Sequence, residues 1–96
     1  MASSDAGVIL LAPADNCVVA ARALAAGETL ELDGAPLRVA TAVELGHKLA
    51  RRAIAPGEKV LKYGAPIGHA TAAIARGEHI HLHNLASDWI PTWRKP

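Results

Sequence analysis

The sequence predicts a compact all-β domain built from two related halves. Three observations support this fold class: the apolar segments are short, turn residues separate them closely, and one short pattern recurs along the chain. The chain has 96 residues, of which 51% are hydrophobic, and its formal net charge is +1. A chain of this size and composition forms one folded domain rather than a disordered segment.

The recurring pattern places an aliphatic residue, a glycine and a polar residue before a short strand. Its four copies occupy residues 23–30, 42–49, 53–60 and 73–80. The copies also group in pairs, because Gly-Ala-Pro-Leu at 34–37 recurs as Gly-Ala-Pro-Ile at 64–67. This pairing indicates that the domain has two related halves.

Each copy contains a glycine suited to a tight turn. In the third copy, Pro56 pre-sets φ at the second turn position and Gly57 supplies the positive φ required at the third, as in a type II turn. The other copies keep only the glycine, at Gly27, Gly46 and Gly77. An alanine-rich helix over residues 20–26 is the local alternative. We interpret that segment as a strand end that runs into the first turn.

The apolar segments between these turns define eight predicted strands and no helix. The strands cover residues 8–11, 18–23, 29–32, 37–40, 48–54, 59–61, 67–72 and 78–83. We expect the folded domain to occupy residues 1–86 and a polar tail to occupy 87–96. The tail contains Trp89 and Trp93, which either dock on a partner protein, as we favour, or fold back onto a thin core.

The composition excludes several classes of function. A near-neutral net charge provides no basic surface for nucleic acid or for an anionic membrane. No apolar run is long enough to cross a membrane or to act as a secretion signal, so we expect a cytoplasmic protein. Cys17 is the single cysteine, which excludes an internal disulfide, and its apolar neighbours indicate a buried thiol.

Histidine alternates with aliphatic residues in the last predicted strand. In an extended strand, Ile80 and Leu82 would face the core, and the opposite face would carry His79, His81 and His83. A strand rises about 3.3 Å per residue, so neighbouring rings start about 7 Å apart and the outer pair about 13 Å apart. Two neighbours could therefore bind one cation, and His81 belongs to either pair. The alternative is a half-exposed polar strand face that binds nothing.

His47 is a further candidate site residue, because it replaces the glutamate that the other three copies of the repeat have at this position. The equivalent positions are Glu28, Glu58 and Glu78, which we interpret as solvated turn residues. A departure from an internal repeat indicates either a site or neutral drift, and the sequence leaves both open. Since the strand supplies at most two neighbouring ligands, His47 is the natural third ligand within this chain.

Three segments also carry a family resemblance: Gly-His-Lys-Leu-Ala at 46–50, Lys-Tyr-Gly-Ala-Pro-Ile-Gly at 62–68, and Gly-Glu-His-Ile-His-Leu-His-Asn at 77–84. Together they resemble the SAF-type domain at the N-terminus of the altronate/galactarate dehydratase family. The resemblance extends over about residues 15–85 and implies a β-clip fold, in agreement with the all-β prediction. Leu82 departs from the pattern, since a small polar residue is expected there in relatives.

The resemblance also implies partnership with a much larger catalytic domain. In some relatives, including the two-subunit sulfolactate sulfo-lyases, the small domain is a separate polypeptide, and this chain resembles such a subunit. We therefore expect a large catalytic subunit of the dehydratase family as partner and a small hydroxy acid as substrate. A homo-oligomer is also left open.

The family chemistry is β-elimination from a 2-hydroxy acid, which gives an enol that becomes a 2-oxo acid. Such a reaction needs a base for the C2 proton, an acid for the leaving group, and a cation or Lys/Arg for the enediolate. The resemblance implies a divalent metal, with iron favoured. We predict the metal ligands to be His79, His81 and His83.

The same motifs imply roles for four further residues. His47 matches a site histidine of the family and is predicted to be catalytic, as is Lys48, which would also bind the substrate carboxylate. Asn84 is predicted to bind and orient the substrate. Tyr63 is either a catalytic acid or a packed aromatic.

A non-catalytic binding module is the alternative function. Related SAF and β-clip domains occur in pilus and flagellar assembly chaperones and as sialic-acid-binding domains. The histidine row favours the enzyme, because neither a chaperone nor a sugar-binding module requires it.

Overall fold

The computed structural model describes residues 7–88, which form nine short strands and no helix. The strands are β1 (Val8–Ile9), β2 (Cys17–Ala20), β3 (Thr29–Leu32), β4 (Ala35–Arg38), β5 (Lys48–Ala50), β6 (Lys59–Lys62), β7 (Ala65–Ala70), β8 (His79–Ile80) and β9 (Leu85–Ser87). The predicted all-β class is confirmed. Within this part of the chain there is accordingly no helix that could cross a membrane.

A central sheet joins the two halves of the domain. Its strand order is β1-β2-β5-β8, and every neighbouring pair is antiparallel. The hairpin β3-β4 lies in the first half, and its counterpart β6-β7 in the second half gains β9 as a third strand. The two hairpins contain the repeated Gly-Ala-Pro segments, so the halves seen in the sequence are halves of the structure.

All four copies of the recurring pattern form the same turn. In each copy the backbone N–H after the glycine donates to the carbonyl three residues earlier, at N–O distances of 3.0–3.1 Å. The turn glycines have φ between 83° and 87°, the value that a type II turn requires. Isolated bridges then join the copies in pairs, Leu24 to Val43 and Ile54 to Ile74. The helical alternative for residues 20–26 is therefore wrong.

The core divides into two clusters that match the two halves. The first cluster includes Val18 and Leu49, and the second includes Cys17 and Ala50. Successive side chains of a strand point to opposite faces, so β2 and β5 contribute to both clusters at once. The central sheet therefore holds the two halves together through shared strands.

The strand predicted over 78–83 is wrong beyond Ile80. There the chain leaves the sheet and turns back, because the buried Asn84 holds a turn with its side chain. The Asn84 Oδ1 accepts the His81 N–H at 2.9 Å, and its Nδ2 donates to the His79 carbonyl at 2.9 Å. Leu82, predicted to face the core, lies at the tip of this turn and is 83% exposed.

The remaining differences are shifted strand ends and one strand that was not predicted. The strands predicted to reach residues 23 and 54 end at Ala20 and Ala50, before the bridges of the repeat begin. β9 follows the Asn84 turn, where no strand was predicted. The two tryptophans of the predicted docking tail lie outside the described residues.

Candidate functional site

Three histidines from different parts of the sequence converge at one edge of the central sheet. His47 ends the second repeat turn directly before β5, and His79 begins β8, which pairs with β5. The Nδ1 atom of His47 lies 3.1 Å from the Nε2 atom of His79. His81 follows β8, and its ring centroid lies 4.9 Å from that of His47 and 5.4 Å from that of His79.

One ring nitrogen from each of these three histidines lies within 4.8 Å of the others, which makes them a candidate metal group. His83 is not a member of this group. Its ring is tilted against that of His79, with the centroids 5.8 Å apart. Two of the three histidines predicted on the strand, His79 and His81, thus belong to this group. His47 supplies the third imidazole from the start of the neighbouring strand β5.

The spacing suits a divalent cation. Two ligands at about 2.0–2.1 Å from one ion are separated by about 2.9 Å at an angle of 90° and by about 3.3 Å at a tetrahedral angle. The 3.1 Å between His47 and His79 falls in that interval. His81 is exposed and can adjust its ring to complete the set. Three imidazoles would leave coordination positions open for substrate oxygens or for a ligand from a partner.

The surroundings of His79 favour its neutral imidazole form. Burial lowers the pKa of His79, the three histidines around it (His47, His81 and His83) lower it further, and the charge of Lys48 adds a smaller effect from the other side of the sheet. A neutral ring nitrogen is the form that binds a metal. The carboxylate of Glu44 lies 3.5 Å from the Nε2 of His47, the nitrogen that faces away from His79. The Glu44 side chain is 86% exposed and 3.5 Å exceeds an ordinary hydrogen-bond length, so this contact does not fix the orientation of His47.

Lys48 projects from the opposite face of β5. Paired residues of neighbouring strands share a face, and Leu49 is paired with His79 whereas Lys48 is paired with Ile80 of the second core. The Lys48 side chain therefore lies on the far side of the sheet from His79. Its pKa is lowered by burial first and then by the charge of Lys62.

The other two predicted site residues have different surroundings. Asn84 is buried, and both ends of its amide bind backbone groups of the histidine turn, so it positions His81. Tyr63 is 70% exposed in the β6–β7 turn, so its ring is not packed into this domain. Its φ is 58°, an unfavourable value for a bulky side chain.

Asp15 and Lys62 were not among the predicted site residues. The buried Asp15 carboxylate accepts backbone N–H groups from Tyr63 at 3.0 Å, Gly64 at 2.7 Å and Ala12 at 3.1 Å. The contacts with Tyr63 and Gly64 are distant in sequence, so no local pattern could have indicated them. For Lys62, the only indication of a role in the sequence was its place in the second family motif, at residues 62–68.

The chain matches the family model described as the altronate/galactarate dehydratase SAF domain over residues 6–88. It is also similar to the altronate dehydratase of Bacillus subtilis (strain 168), with 43% identity over 70 residues. That alignment covers 73% of this chain but only 14% of the relative. The chain therefore belongs to the altronate/galactarate dehydratase SAF domain family.

Proposed function

We propose that this domain supplies part of the active site of a sugar-acid dehydratase-type lyase. The reaction is β-elimination of water, or of another leaving group, from a 2-hydroxy acid to give a 2-oxo acid. The observation that carries this proposal is the convergence of His47, His79 and His81 within 4.8 Å in a chain of this family. Three imidazoles that converge at a sheet edge have the donor set of a metal centre.

In this proposal His47, His79 and His81 hold a divalent cation, with iron favoured. Such an ion would polarise the substrate's oxygens and stabilise negative charge on the enediolate. The chain's own residues favour the neutral form of His79 and hold His81 in place. Burial lowers the pKa of His79, and the Asn84 amide holds the turn that carries His81.

The remaining catalytic groups come from a larger partner in this proposal. The B. subtilis relative is far longer than the aligned segment, which is consistent with a large catalytic region in that protein. We infer that the domain works with a large dehydratase-family subunit or domain and has no turnover of its own. Residues 87–96 remain the proposed docking segment, and Tyr63 remains the candidate acid for the leaving group.

The test compares two histidine variants in the enzyme assembled with its large partner. His81→Ala should lose the bound metal and most of the dehydratase activity, with little change in melting temperature because the side chain is exposed. His69→Ala is the matched control, since His69 lies outside the three-histidine group and contacts Asp88 at 2.9 Å. It should retain both metal and activity. The isolated chain, measured in parallel, should show no activity.

Full metal content and activity in His81→Ala would contradict the proposed site. The alternative of a non-catalytic binding module would then be favoured. Leu45 and Leu82 support the binding module, because these side chains are 66% and 83% exposed next to the histidines. Exposed leucines at a site of this kind suit contact with another protein.

A further inference from the structure

We propose that Lys48 and Lys62 form a carboxylate-binding site at the rim of the second core, on the sheet face opposite the histidines. Family resemblance pointed to Lys48 as a carboxylate partner, but nothing in it assigned Lys62 or this face. The proposal is independent of the metal site, because one small hydroxy acid could not reach both faces of the central sheet, and the anion is assigned only as a small carboxylate. The position of the site follows from the direction of the side chains along β5 and β6.

Strand alternation directs both lysines to the same side. Lys48 pairs with Ile80, and Lys62 stands two residues after Val60, so each lysine shares a strand face with a member of the second core. The irregularity between β6 and β7 leaves an unpaired residue on β7 and not on β6, so the alternation along β6 is preserved. Both lysines are half-buried.

β2 brings the two lysines together. β5 pairs with β2 on one side, with Lys48 opposite Val19. On the other side β6 lies against the start of β2, where the Cys17 Sγ contacts the Leu61 carbonyl at 3.3 Å. A second bond in this contact runs from the Leu61 N–H to the Asn16 Oδ1 at 2.8 Å. Both lysines lie near the Cys17 thiol, since the charges of Lys48 and Lys62 each act to lower its pKa.

No anionic group neutralises this pair within residues 7–88. Neither Lys48 nor Lys62 takes part in an ion pair there, whereas Lys59, three residues before Lys62, binds Asp88 at 2.7 Å. The Cys17 thiol near them supplies no negative charge at neutral pH, since burial raises its pKa to about 11. The Asp15 carboxylate is nearby, but three backbone N–H groups already bind it. Two close cations without a counter-charge favour an anion from outside the chain.

The site is also held in place. Asp15 binds the backbone of the turn that follows Lys62, through the N–H groups of Tyr63 and Gly64. A fixed turn limits the movement of the end of β6, so less conformational freedom is lost when a ligand binds. A carboxylate fits two ammonium groups because its two oxygens can accept one hydrogen bond from each.

The experiment is a titration of the isotopically labelled chain with tartrate, followed by backbone amide shifts at constant ionic strength. We expect saturable shifts at Cys17, Lys48 and Lys62, with a dissociation constant of about 1–10 mM. Lys48→Ala and Lys62→Ala should each weaken binding about fivefold or more. Lys59→Ala is the matched control and should leave the affinity unchanged. Lys62→Gln keeps the length of the stem in case the alanine variant is poorly folded, as its amide spectrum would reveal.

Absence of saturable shifts at these three residues up to about 100 mM tartrate would overturn the proposal, as would an equal loss of affinity in Lys59→Ala. Sulfate that binds as tightly as tartrate would overturn the assignment to a carboxylate. His81→Ala should bind tartrate with unchanged affinity. That variant distinguishes the two proposals, because failure of the metal site leaves the lysine site intact.

Discussion

Tyr63 is the residue whose conformation departs most from the preference of its side chain. Its φ is 58° in a two-residue hairpin turn, where the equivalent residue of the first half is Asp33 with φ 56°. Aspartate and asparagine tolerate this region, whereas a bulky side chain is strained by roughly 1 kcal/mol or more. The ring is 70% exposed, so packing does not compensate the strain. Strain of this kind clusters at functional sites, which supports a role for the phenol group.

Replacing Tyr63 with asparagine should therefore stabilise the isolated domain. We expect a gain of about 0.5–1 kcal/mol in the free energy of unfolding, measured by urea denaturation. Tyr63→Phe is the control, because it keeps the strained backbone and removes only the hydroxyl group, and its stability should match the parent. A loss of stability in Tyr63→Asn would show that the ring contributes contacts to the fold.

Cys17 carries a pH-dependent contribution to stability. Burial raises the pKa of its thiol from 9.0 to about 11, with Asp15 acting in the same direction. The folded state holds the proton more tightly than the unfolded state, so the contribution is complete below pH 9 and declines as the pH rises from about 9 to 11. Urea unfolding at pH 8 and pH 10.5 should show this decline in the free energy of unfolding, and the decline should be smaller in Cys17→Ala.

The buried thiol of Cys17 should also resist thiol reagents at pH 8 until urea is added.

At the scale of elements, the four repeat turns are equivalent in backbone but not in surroundings. Gly57 has φ 83° with open space around the position of a Cβ, whereas a Cβ on Gly77, at φ 87°, would overlap the carbonyl oxygen of Arg38. The turn at Gly77 packs against the end of β4, and its N–H donates to the Ala50 carbonyl at 2.8 Å.

Alanine substitution should separate the cost of the positive φ from the cost of the overlap with the Arg38 carbonyl. Gly57→Ala should cost about 1 kcal/mol, from the positive φ alone, and Gly77→Ala should cost at least about 2 kcal/mol more, because backbone must also move. Urea denaturation of both variants measures the difference. Equal losses would mean that the β4 backbone yields easily, contrary to the packing of this turn.

At the scale of the whole molecule, Arg76 joins the two halves. It belongs to the fourth repeat copy, yet its guanidinium donates to the Pro36 carbonyl at 2.7 Å and the Leu32 carbonyl at 2.8 Å in the first hairpin. A third bond reaches the Arg51 carbonyl at 3.1 Å. Since β2 and β5 also serve both core clusters, we expect the halves to unfold together.

Arg76→Met should lower the free energy of unfolding by about 1–3 kcal/mol, because several carbonyl groups lose a charged donor. Arg52→Met is the control: its partner Glu58 is a surface carboxylate, and the cost should stay within about 1 kcal/mol. Calorimetry should give a single transition for both variants. Two transitions in Arg76→Met would contradict a shared core.

The sequence by itself determined the all-β class, the two halves and the four turns. These features are local: glycine permits a positive φ, proline pre-sets its neighbour, and short apolar segments suit strands. The alternation of histidine also pointed to the correct region, although the strand ends at Ile80 because the Asn84 side chain binds two backbone groups of its own turn. Only the tertiary structure decided which histidines meet, since the pairing of β5 with β8 brings His47 to His79 across the sheet. The tertiary structure also placed Lys48 on the opposite face from His79. Leu49 is the residue of β5 that pairs with His79, and its neighbour Lys48 points the other way.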